Sequence, residues 1–424
     1  MLRSTVLSLS ALLVGASLMF VGHGIQSTLV PVWANDAGFD AATIGSLWSA
    51  YAAGLVLGCM TAGRVIGMVG HIRAFAAMMS AVAIIVLIYT FYPTPAFWLL
   101  LRVAHGFVIA GVFMIMESWL NEKAHESQRG VILGIYTALS LVMISMGQLS
   151  LNIFDVLDPR LFSLAAILLM MAVLPVALTR AGIPGPVKSS KLDVGKLWKS
   201  SRVAVIGSFC VGLTTSAFWG LGPVFALEVG LNTAGLTLFM SATILGGAIF
   251  QWLVGRASDR MDRRRVVAMG SFVAAGAGVG IWLFAGHSLL MVLLFSLLFG
   301  GFSFSLHAVC VALGNDRAAA GDFVEVAGGL LFVHSAGSII GPLLAAGAMS
   351  LFGPGGIYAF TALVHVSLAL FAVTLVVRRA PVPVEERGEF VAVPVTSPEI
   401  YVIDPRGEHE GEHDGEPEIR AAGN

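Results

Sequence analysis

A few polar side chains stand inside stretches that are otherwise apolar, and their types and spacing could do chemistry. Arg102 and His105 lie three residues apart, as do His23 and Gln26, so each pair shares one face of a helix. Trp219 stands in a third apolar run, and Gln148 with Asn152 in a fourth. A guanidinium brings a permanent charge and a fork of donors, imidazoles and an amide bring adjustable donors and acceptors, and an indole brings a face to stack on. Such a group could bind an anionic or zwitterionic small solute. Glu117 is the sharpest acid, because a carboxyl group in apolar surroundings can take up and release a proton; Glu325 and His307 would be further stations on a proton path. Each residue also has a structural reading. Arg102 could bond to carbonyls of a neighbouring helix, Glu117 could pair with Arg73 or Arg129, and the histidines and Trp219 could simply pack.

The elements that must hold these groups are set by composition. Hydrophobic residues make up 57% of the chain and charged residues 12%, against about a quarter charged in soluble domains. Twelve apolar segments reach the roughly 20 residues that a membrane span needs, from 6–33 to 355–377. They run too long and too continuously for barrel strands. The fold class is therefore an all-α membrane protein. The net charge of -1 is uninformative about nucleic acid, and no basic patch with interleaved aromatics offers a surface for it. The three cysteines all fall in apolar runs and read as small buried hydrophobes. No cofactor or metal centre is expected.

Between two apolar runs, Gly255-Arg256-Ala257-Ser258-Asp259-Arg260-Met261-Asp262-Arg263-Arg264-Arg265 packs five arginines and two aspartates into eleven residues. That density demands a short loop at a membrane face. A degraded copy, Gly63-Arg64-Val65-Ile66-Gly67-Met68-Val69-Gly70-His71-Ile72-Arg73, lies 192 residues upstream, with Gly67 in the place of Asp259. Pro31 to Asp40 aligns with Pro223 to Asn232 at the same offset, and Asn121-Glu122-Lys123 aligns with Asn315-Asp316-Arg317. Two halves in the same order, each with an even number of spans, make parallel repeats. The expected division is 1–180 for the first six-helix half, 181–201 for a linker, 202–378 for the second half and 379–424 for a disordered acidic tail. Lys and Arg crowd one set of connections, which places both termini in the cytoplasm.

The paired loops, the twelve spans and the central linker resemble the major facilitator superfamily over residues 5–378. Arg102-Val103-Ala104-His105-Gly106 resembles that family's Arg-x-x-x-Gly motif. Gly337 to Pro342 resembles its Gly-x-x-x-Gly-Pro motif, here in the eleventh span instead of the fifth. Glu117-Ser118-Trp119-Leu120-Asn121-Glu122 with Arg129-Gly130 and Gly147-Gln148 resembles the YcaD-like bacterial subgroup. The resemblance implies a central cavity lined by spans 1, 4, 7 and 10. At ~1.5 Å rise per residue, His23, Gln26, Trp219, Arg102 and His105 then share one layer slightly outside the midplane. It also implies a cytoplasmic gate in which Asp259 caps a helix N-terminus, while Arg260 and Arg264 pair across the seam with Glu122 and Asp316.

The function implied is secondary transport of a small solute by alternating access, coupled to protons, by a monomer in the bacterial inner membrane. No Gly-x-x-x-x-Gly-Lys-Ser/Thr loop is present to bind ATP. No His-Glu-x-x-His or Gly-x-Ser-x-Gly motif suggests an enzyme. The competing class is a non-transporting sensor or scaffold of the same fold that signals through the acidic tail, in which tail deletion would abolish function.

Overall fold

The computed structural model describes residues 2–123, 128–178, 194–316, 318, 322–378, 380, 382–383 and 386–402. Among them twelve helical segments are long and apolar enough to cross a membrane, and no strand occurs. The first half contains α1 (Leu2–Asp36), α2 (Ala41–Val69), α3 (His71–Ile88), α4 (Pro95–Lys123), α5 (Arg129–Ser150), α6 (Arg160–Met171) and α7 (Val173–Ala177). A short α8 (Val194–Ser200) leads into α9 (Arg202–Glu228), α10 (Thr233–Arg260), α11 (Arg263–Phe284), α12 (Leu289–Asn315), α13 (Phe323–Phe352) and α14 (Gly356–Arg378). Helices α6 and α7 form one span broken at Ala172. Pro175 explains the break, since it has no N–H to give the carbonyl of Met171. Asp40 and Asn232, equivalent in the two repeats, cap α2 and α10 by accepting from Thr43 N and Gly235 N. At the degraded loop, α2 and α3 are joined through Gly70 alone, whose φ of 85° suits only glycine. Most of the expected linker lies outside the described residues; α8 packs its Leu197 against Gly329 of α13.

Glycine contacts reproduce the repeat inside each half. In the first, Gly54 faces the carbonyl of Val103 and Gly106 faces that of Tyr51, so α2 and α4 meet backbone to backbone. In the second, Gly246 faces Leu297 and Gly300 faces Thr243 in the same manner. Such close approach substitutes for a hydrophobic drive that lipid cannot supply. A Cβ at Gly54 would sit 2.1 Å from the Val103 oxygen. Gly54→Leu must therefore separate the helices and is expected to cost at least ~1–3 kcal/mol, seen as a lower thermal-unfolding midpoint. Gly67→Leu, where an added Cβ meets nothing within 4 Å, is the control and should leave the midpoint unchanged.

The two halves touch mainly at the membrane face opposite the arginine-rich loop. There a Cβ on Gly45 of α2 would lie 2.7 Å from the carbonyl of Pro342 in α13. Asn152 donates to Thr237 (2.8 Å), and Ser241 donates to the carbonyl of Ser145 (3.4 Å). Toward the loop face the space between the halves holds the C-terminal chain. This corrects the expectation of a disordered tail beginning at residue 379. Val391, Val393, Ile400 and Tyr401 are buried, and a 3-10 turn over Pro398–Tyr401 packs between α4 and α13. The acidic run after residue 406 dominates the composition of this region and hides the apolar stretch before it. That run itself lies outside the described residues.

Candidate functional site

The site is built from helix faces. Arg102, only 1% exposed, points from α4 toward α2. Its guanidinium lies 4.7 Å from the ring centroid of Tyr51 and 5.5 Å from that of Trp48. Its Nε donates to the carbonyl of Leu47 (3.3 Å) and Nη1 donates to Oε1 of Gln26 (3.4 Å). The Gln26 amide reaches Nδ1 of His23 at 3.3 Å. The His105 ring lies 6.4 Å from His23 and 5.6 Å from Tyr51, and neither of its nitrogens has a hydrogen-bond partner among the described residues. Arg102, His105, His23 and Gln26 thus form one cluster. Trp219 joins it from the other half by stacking on Trp48, with centroids 6.0 Å apart and planes at 7°.

A cavity of about 230 Å³ lies between the halves. His23, Trp48, Tyr51 and Trp219 line it, whereas Arg102, Gln26 and His105 stand behind that wall. Phe304 continues the stack beyond Trp219 at 6.2 Å and 10°. Hydroxyls of Ser140, Thr215 and Ser335, the amide of Gln251 and the rings of His307 and His334 supply the polar part of the lining. The resemblance does not point to Trp48 and Tyr51, because α2 lies outside the four cavity helices that it names. Their three-residue spacing is the signal that could have found them. Gln148 is not brought to the cavity. It accepts from Thr28 (2.6 Å), donates to the Gly24 carbonyl (2.9 Å) and so ties α5 to α1.

The acids and histidines nearer the loop face meet the C-terminal chain. Both carboxylate oxygens of Glu117, a fully buried residue, accept from hydroxyls of that chain, Thr396 on one and Ser397 on the other. Nε2 of His307 lies 3.2 Å from the Tyr401 hydroxyl, and its ring lies 4.7 Å from that of His334. Glu325 sits half-buried in the first turn of α13, away from the cavity lining.

The loop arginines are arranged differently from the expectation. Asp262, not Asp259, caps α11, accepting from Arg264 N at 3.0 Å. Met261 is extended, so the helix begins only at Arg263. Burial opposes ionisation of the Asp262 carboxyl, but hydrogen bonds from the Arg264 side chain and backbone prevail and hold it below its ordinary value. Arg264 is committed to Asp262 (2.6 Å) and the Leu375 carbonyl (2.9 Å). Arg263 holds the centre of the cluster. It pairs with Asp316, donates to the carbonyls of Ala312 (2.9 Å) and Gly388, and lies 3.5 Å from Asp259. Asp259 accepts from the backbone of Phe390 at 2.9 Å. Arg260 and Glu122 are exposed, and among the described residues no ion pair joins them.

The model of the Major Facilitator Superfamily matches residues 12–239 and 204–405, and the chain belongs to that family. It is a multi-pass membrane transporter. An uncharacterized MFS-type transporter of Yersinia pestis (strain Pestoides F) is 27% identical over 78% of this chain and 86% of its own. The uncharacterized MFS-type transporter YcaD of Escherichia coli O17:K52:H18 is 24% identical over 80% of this chain and 88% of its own. Among solved structures, the nucleoside transporter NupG superposes with a TM-score of 0.71 at 15% identity, covering 87% of this chain and 98% of NupG. A bacterial homologue of the human lysosomal transporter Spinster, inward-facing and occupied, superposes with a TM-score of 0.69 at 16% identity, covering 91% and 98%. These likenesses bear on fold.

Proposed function

We propose that the protein is a secondary transporter that moves a small planar aromatic solute without positive charge by alternating access. The observation that carries the solute class is the ladder Trp48–Trp219–Phe304, whose near-parallel rings cross from one half to the other at the cavity. A solute ring can pack against this ladder from the cavity, and hydroxyls and imidazoles can meet its polar substituents. No carboxylate lines the cavity among the described residues, and the Arg102 guanidinium lies just behind its wall, which disfavours a cation. This replaces direct contact by Arg102 with support through Tyr51 and Trp48. The two halves would rock about this site, with the contacts at the closed face exchanging for others at the loop face. Glu117 is assigned the coupling proton, as the buried carboxyl on the route from the loop face. The arginine distribution supports a cytoplasmic loop face and cytoplasmic termini, in the inner membrane of a bacterium. We take the working unit to be a monomer.

Ligand-induced stabilisation tests the solute class. A solute that binds only the folded state raises the unfolding midpoint by mass action. Uncharged aromatic compounds should do so saturably in the purified protein, and Trp219→Ala should weaken the best of them about tenfold or more, a stacked ring contributing ~1–3 kcal/mol. A nucleoside, the class named for one structural neighbour, is the first compound to test. Preferential binding of aromatic cations would sink the assignment.

A further inference from the structure

The C-terminal chain does more than rest on the bundle. Entering at the loop face, it bonds to both halves in turn. Arg387 donates to the Met261 carbonyl (2.7 Å), Arg263 donates to the Gly388 carbonyl, and Phe390 N donates to Asp259. Thr137 of α5 then donates to the Ala392 carbonyl (3.2 Å), Thr396 and Ser397 donate to Glu117 of α4, and Tyr401 meets His307 of α12. Residues 393–396 form part of the cavity wall.

We propose that residues 386–402 are a built-in plug that closes the loop-face entrance of the cavity and holds the halves apart there. The reason is spatial. Helices in contact lie ~8–10 Å apart, and a chain threaded between them, itself needing ~5 Å, prevents that approach. The halves can therefore close at the loop face only after the plug leaves. Its chemistry suits a removable occupant. Pro394 and Pro398 stiffen an extended chain, which lowers the entropy lost on docking. From Phe390 to Ser397 its polar bonds go to side chains of the bundle rather than to a sheet ladder. It also takes both oxygens of the very carboxylate assigned to the proton, so plug and proton compete for Glu117. That last point rests on the transport reading; the plug itself does not.

The test is thiol accessibility in the full-length protein. Ser338, half-buried in the cavity wall, is replaced as Ser338→Cys, and its labelling by a bulky impermeant maleimide is followed by mass spectrometry of the peptide containing it. Adding Thr396→Ala and Ser397→Ala removes two hydrogen bonds to the buried Glu117 carboxyl, and labelling should accelerate roughly tenfold or more. A second background, Ile400→Asp, places a carboxylate at a site that is 0% exposed and should expel the turn. A synthetic peptide of residues 386–402 added to that variant should slow labelling again. Equal rates in all three proteins, each with a cooperative unfolding transition, would overturn the plug. Faster labelling in the variants with no transport in any form would keep the plug and remove the transport reading instead.

Discussion

Replacing Arg102 with alanine is expected to lower stability by roughly 2–4 kcal/mol, since a desolvated cation on an aromatic face contributes ~2 kcal/mol and its hydrogen bonds ~1.5–3 kcal/mol each, offset by relief of burying the charge. The guanidinium lies under both Tyr51 and Trp48 and ties them to Gln26 and Leu47. Solute binding should weaken more than about tenfold as the two rings lose that floor. Arg102→Lys is the informative partner. Lysine keeps the charge but lacks the planar fork that stacks and donates at once, so it should recover less than half of the loss. The unfolding midpoint and the solute Kd measure both effects. A lysine variant equal to the parent would mean that a point charge suffices and that the stacking is incidental.

A second large effect is expected at Arg263, whose side chain is 1% exposed against 3% for its partner Asp316. Breaking a buried pair by removing one member costs ~3–5 kcal/mol, because the other charge loses its compensation. Arg263→Ala should therefore be among the most destabilising single changes on the loop face. It should also release the C-terminal chain, since the same guanidinium donates to Gly388. Arg263→Met combined with Asp316→Leu should be less destabilised than Arg263→Ala, as apolar replacement of a whole buried pair often is. Arg260→Ala, at an exposed position, should change stability by no more than about 0.5 kcal/mol. Comparable losses at Arg260 and Arg263 would return the gate to the arrangement that the loop motif suggests.

Much of this architecture was legible along the chain. Twelve spans, their order and the repeat follow from hydropathy and from the offset between the two loops, because a bilayer demands continuous apolar runs of a set length. Heights were legible too. A helix rises by a constant step, so counting residues put His23, Gln26, Arg102, His105 and Trp219 in one layer, and the structure joins them.

What counting could not supply was azimuth and company. Arg102 and His105 have the right height but stand behind the cavity wall, while Trp48 and Tyr51 of α2 form it. Gln148 turns to α1. These outcomes depend on how each helix is rotated against its neighbours, and that rotation is set by contacts such as Gly54 with Val103, between residues 49 positions apart. The loop motif located the charged cluster, but the extended backbone at Met261 decided that Asp262 caps and Arg263 pairs. The C-terminal chain is the extreme case. Its sequence determines that it is proline-bearing and partly apolar, yet only the folded bundle offers the carboxylate of Glu117, the ring of His307 and the gap between the halves in which that stretch becomes buried.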